Sequence, residues 1–139
     1  MEKNAPATIW DPLRRKEVAR TPEEEVRQWF IGVLRDAAGV PELLMGSEVG
    51  LRYGAAGKRY RADIVVYGRD ARPAAVVECK RPEVALDAEV LRQALRYDMV
   101  LSIGYMLITN GSQTRCFKRE GEGVVAVDHL PTYEEICRR

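Results

Sequence analysis

One histidine and three cysteines leave this sequence short of the ligands that most transition-metal sites use. Cys79, Cys116 and Cys137 are odd in number and unrelated in spacing, which argues against both a disulfide framework and a zinc site. His129 stands alone beside Asp128 near the C-terminus and is expected at the surface. No apolar run approaches the ~20 residues needed to span a bilayer. The start, MEKNAPATIW, lacks the basic-then-apolar layout of a secretory signal. A reduced, cytoplasmic protein is expected. Excess charge of one sign is missing too: 22 Lys and Arg face 21 Asp and Glu, a formal net charge of +1. Average charge therefore cannot hold nucleic acid, and any such contact requires a local basic patch or a partner. No glycine-rich phosphate loop ending in Lys-Ser/Thr occurs, so ATP use is not expected.

What is present suffices for one core: 46% of 139 residues are hydrophobic. Residues 1–20, with Trp10, two prolines and Arg14-Arg15-Lys16, read as an extended N-terminal extension. Residues 21–139 read as one mixed α/β domain. Thr21-Pro22-Glu23-Glu24 is a helix start, with an N-cap, a proline at the first position and acids suited to the dipole. Gly39 and Pro41 end that helix. A strand over Leu43 to Tyr53 is expected next, then two Val- and Ile-rich strands, Ala62 to Tyr67 and Ala74 to Lys80, joined by residues 68–73. A long helix is expected from about Asp87 to Leu101. It is followed by a strand at Tyr105 to Thr109, a turn at Asn110-Gly111 and strands around Thr114 to Lys118 and Val124 to Val127. A short helix near Tyr133 to Cys137 closes the chain. Trp29 and Tyr105 are expected in the core.

The chemistry concentrates on the second and third strands. With the turn centred between Asp70 and Ala71, antiparallel partners sum to 141, so Asp63 faces Glu78 and Arg61 faces Lys80. Opposed residues have Cβ atoms roughly 4.5–5.5 Å apart. Alternation puts Glu78 and Lys80 on one face and Cys79 on the other, buried and without a basic partner to activate it. Adjacent carboxylates repel unless a cation lies between them. Magnesium takes one or two carboxylates, waters and phosphate oxygens. Asp63, Glu78 and the Cys79 backbone carbonyl could supply its protein oxygens. Lys80 could orient water or neutralise a transition state. Arg52, Lys58, Arg59, Arg61, Lys80 and Arg81, with Arg92 and Arg96 on the long helix, could form the local basic surface for a DNA backbone.

The segments Arg61-Ala62-Asp63-Ile64-Val65-Val66-Tyr67 and Val76-Val77-Glu78-Cys79-Lys80-Arg81-Pro82 resemble the N-terminal nuclease domain of type I restriction enzyme R subunits, within the PD-(D/E)XK superfamily. The resemblance is strongest to small stand-alone proteins carrying only that domain. It extends through Thr21-Pro22-Glu23-Glu24-Glu25-Val26-Arg27-Gln28, Gln93-Ala94-Leu95-Arg96-Tyr97 and Leu107-Ile108-Thr109-Asn110-Gly111. It implies a restriction-endonuclease-like core, a central mixed sheet flanked by helices in the order α-β-β-β-α-β-β. It also implies Mg2+- or Mn2+-dependent cleavage of DNA, with Asp63 and Glu78 as metal ligands and Lys80 as the catalytic lysine. Glu24 is the best-fitting first-helix glutamate, though three consecutive glutamates leave the register open. Gln93 and Tyr97, four apart on a helix, would border the site and support the lysine or the DNA. A protein partner or second copy would help to cut both strands. The alternative is a catalytically silent nucleic-acid-binding or assembly module that keeps the nuclease fold.

Overall fold

A computed structural model describes residues 7–95 and 97–138. Its centre is a mixed six-stranded sheet of β3 (Met45–Tyr53), β4 (Lys58–Tyr67), β5 (Pro73–Cys79), β6 (Tyr105–Thr109), β7 (Thr114–Glu120) and β8 (Gly123–Val127), ordered as in the chain. Only β5 and β6 run parallel, and that pairing needs a crossover. The crossover is made by α2 (Ala88–Ala94) and α3 (Tyr97–Ile103). Strands β4, β5 and β6 are covered on both faces, which explains their nearly unbroken apolar runs. Ile64, Val66, Ala75, Val77 and Leu107 pack under α1 (Pro22–Asp36) and α4 (Tyr133–Arg138). Val65, Val76, Met106 and Ile108 pack with Leu95, Met99, Val100 and Ile103 on the opposite side.

Local chemistry sets the element ends. Thr21 caps α1 by accepting from the Glu24 N–H at 3.0 Å, and Pro22 sits at the helix start. Asp87 caps α2 in the same way through Val90 N–H at 2.9 Å. Between β4 and β5, Gly68 accepts from Ala71 N–H, and its own N–H donates to Arg72 O. Ala71, at φ 66°, closes this turn. The pairs Ile64–Val77, Val65–Val76 and Val66–Ala75 all sum to 141, the register that the turn position implies.

Several expectations need correcting. The expected long helix is two helices, because Leu95 turns to extended backbone (ψ 124°). Burying Leu95 together with Met99 and Val100 overrides a helical periodicity that runs unbroken through this stretch. Strand β3 starts at Met45 after a short 3-10 turn over Glu42–Leu44, and Leu43 is 95% exposed. Within the expected N-terminal extension, β1 (Thr8–Asp11) and β2 (Lys16–Ala19) pair as an antiparallel hairpin. Tyr105 is buried as expected, but Trp29 is 48% exposed on the rim of α1. Among the described residues no helix is long and apolar enough to cross a membrane.

Candidate active site

The site forms where the β3–β4 ladder changes its pattern. Ser47 pairs with Ile64 and Val49 with Ala62, but Glu48 and Asp63 between them drop out of the ladder. Glu48 has φ 57°, a left-handed conformation uncommon outside glycine. The twist switches faces: Ile64 packs on the α1 side, whereas Ala62 and Tyr60 pack on the α2–α3 side. Asp63 is thereby released from strand alternation and turns onto the end of β5, where its Oδ2 accepts the Cys79 N–H at 2.7 Å. Glu78 and Lys80 meet as alternation predicts, with Lys80 Nζ 2.9 Å from Glu78 Oε2. Tyr60 OH donates to the other Glu78 oxygen at 2.7 Å. Lys80 is positioned from its own backbone, whose N–H donates to Thr109 O of β6.

Behind this pair lies a group that the sequence did not single out. Arg27 is 7% exposed and donates from Nη1 to the Asp63 carbonyl at 3.0 Å. Its Nη2 lies 2.8 Å from Glu48 Oε2 and 3.1 Å from Glu24 Oε1. Glu24, expected to assist the metal or the lysine, is itself buried and receives Arg14 on both oxygens at 2.9 Å. It therefore reaches the site only through Arg27. Arg14 also pairs with the fully buried Asp11, which ties the N-terminal hairpin to α1. The helical period explains the placement: Glu24, Arg27 and Gln28 share one face of α1. Glu23, on a neighbouring row, lines the cleft instead.

That cleft, about 490 Å³, is walled by Glu23, Glu78, Lys80, Arg81, Gln93 and Ala94. Gln93 is exposed and held by Glu89 at 3.1 Å. Gln93 ends in α2 and Tyr97 begins α3, so the two do not share one continuous helix face. The side chain of Tyr97 and all of Arg96 lie outside the described residues. Arg59 and Arg61 line a second groove with Arg52 and Tyr60. Arg61 is paired there with Glu48 at 2.8 Å.

Burial pushes the Asp63 carboxyl above its ordinary range. The Cys79 N–H and Arg27 oppose the rise, while the Glu78 and Glu48 carboxylates add to it. Burial also holds the Cys79 thiol well above its usual range, which makes it a poor nucleophile. Among the described residues no three His, Cys, Asp or Glu side chains form a metal-holding group. A hard divalent cation needs fewer, because it keeps waters and takes phosphate oxygens. An oxygen donor whose proton affinity a neighbouring carboxylate raises suits such an ion, so the residues fit magnesium or manganese.

The family described as type I restriction enzyme R protein N terminus matches residues 22–131. A solved structure, a candidate nuclease of the DUF820 family from Anabaena variabilis ATCC 29413, is similar in fold with a TM-score of 0.51 and 10% identity. The alignment covers 99% of this chain and 93% of that one. No curated protein matches the chain. With four-fifths of its length matched by that family, and with a restriction-endonuclease-like fold, the chain belongs to the N-terminal family of type I restriction enzyme R proteins.

Proposed function

We propose that the chain is a metal-dependent nuclease of the PD-(D/E)XK type that hydrolyses phosphodiester bonds in DNA. The observation that carries this reading is at the end of β5, where Asp63 takes the Cys79 N–H and the flanking Glu78 and Lys80 pair on the wall of an open cleft. Asp63, Glu78 and the Cys79 carbonyl are the oxygens that would hold Mg2+ or Mn2+. When bound, such an ion lowers the pKa of a coordinated water and offsets charge on the phosphate.

The chain's own residues do the rest. Lys80 presents a compact ammonium to the cleft, where it can offset charge developing on a phosphate oxygen. Tyr60 fixes the Glu78 carboxylate from the far side. Arg27 holds the Asp63 backbone still, and Glu24 and Glu48 in turn hold Arg27. Arg81 and Gln93 sit on the cleft wall, where they can meet the DNA backbone.

Incubating the protein with linear, nicked, branched and single-stranded DNA plus magnesium or manganese tests this reading. It fails if nothing is cut, or if Asp63→Asn cuts as fast as the wild type. One observation favours the silent-module alternative: both Glu78 oxygens are already engaged, by Tyr60 and Lys80. Calorimetric titration with manganese, wild type against Glu78→Ala, separates the two, because only the nuclease reading requires binding that depends on Glu78.

A further inference from the structure

Beyond β5's reach, β3 and β4 continue together as a two-stranded arm that ends in the loop Gly54-Ala55-Ala56-Gly57. On this arm Arg52 and Arg59 are direct cross-strand partners. Like charges placed opposite each other destabilise a ladder, and both side chains are exposed. Among the described residues neither forms an ion pair, whereas neighbouring Arg61 is held by Glu48. The loop carries no acid that could relieve the pair. The two arginines line an open groove of about 720 Å³ with Gly50, Leu51, Tyr60 and Arg61. At Gly50 the space a Cβ would fill is empty, which leaves the groove floor open to an approaching chain. Tyr60 belongs to both places: it lines this groove, and its hydroxyl donates to Glu78.

We infer that the Arg52–Arg59 pair is a binding site for the DNA backbone, gripping a phosphate other than the one being cut. A phosphodiester oxyanion between two guanidiniums removes the repulsion that the ladder otherwise bears, and arginine's planar fork suits phosphate. The groove extends the substrate path past Tyr60, away from Lys80, so the preferred substrate is a strand that continues beyond the scissile bond. This rests on the nuclease reading for its choice of DNA, but not for the anion site itself.

The test is fluorescence anisotropy of a labelled DNA duplex, titrated in EDTA across a potassium chloride series, with wild type and the Arg52→Gln/Arg59→Gln double variant. Each lost phosphate contact lowers the slope of log affinity against log salt by about 1. The double variant is therefore expected to bind more weakly, with a slope shallower by about 1, the single phosphate that the pair grips. It is also expected to melt no lower than the wild type, since a repulsive pair has been removed. An unchanged slope in a folded double variant overturns the inference. So does displacement of the duplex by inorganic phosphate well beyond that caused by chloride at equal ionic strength, which would mark a small-anion site. Hydrolysis is read separately with magnesium. Duplex binding through the pair without cutting sinks the nuclease reading alone, and cutting with an unchanged slope sinks this inference alone.

Discussion

One side chain beside the carboxylates does more for the site than its residue type announces. Tyr60 holds Glu78 by a single 2.7 Å hydrogen bond while its ring packs beneath α2 and α3. Tyr60→Phe keeps the packing and removes only the hydroxyl. Loss of an outer partner of a metal ligand typically costs about 10–100-fold in metal affinity or activity. Manganese titration and cleavage rates should both fall in that range, with the circular dichroism spectrum unchanged. Glu24 is the counter-case. It neutralises Arg14 and the buried Arg27, so Glu24→Ala leaves Arg14 to Asp11 and Arg27 to Glu48 and Asp63. A loss of roughly 1.5–3 kcal/mol in denaturant-induced unfolding is expected, the worth of hydrogen bonds to charged groups. A variant that stays fully stable yet fails to bind metal would instead make Glu24 a direct ligand.

At the scale of elements, the sequence was most readable where one short-range rule governs. The turn around Asp70-Ala71 and the unbroken apolar runs placed β4 against β5 in the observed register. The cap at Thr21 was equally legible. What escaped depends on contacts far apart in the chain. Nothing local marks Arg27 among so many basic residues, because its partners Glu48 and Asp63 lie on different strands. Nothing local says that Glu48 takes a left-handed conformation, yet that twist sets Asp63 free. Leu95 breaks a helix without glycine or proline. The C-terminal helix offers a measurement at this scale. His129 is bracketed by Asp128 and Glu135, whose hydrogen bonds raise its pKa above the usual 6.5. A raised folded value means that this contribution is present below pH 6.5 and fades as pH rises through the folded pKa. NMR titration of this sole histidine should show the upward shift, and Glu135→Gln should reduce it.

At the scale of the whole molecule, stability and function oppose each other at Asp63. Its raised pKa means that the folded chain favours the protonated form. The favourable contribution is therefore complete below the ordinary carboxylate range, near 3.8, and is lost as pH rises through the folded value. At neutral pH the metal-free protein carries an ionised group that its surroundings disfavour, and a divalent ion would relieve it. Asp63→Asn should therefore melt above the wild type without metal at neutral pH. It should also gain less from added magnesium, as differential scanning calorimetry in EDTA and in magnesium would show.

The family and the fold place this chain among restriction-enzyme domains, and the proposed nuclease depends on Asp63, Glu78 and Lys80. The decisive measurement is magnesium-dependent cleavage of DNA by wild type, Asp63→Asn and Lys80→Met, run side by side. The wild type should cut, and each variant should lose on the order of a thousandfold in rate, several kcal/mol of transition-state stabilisation. Cleavage that persists undiminished in either variant, or no cleavage of any DNA by the wild type, would contradict the nuclease reading.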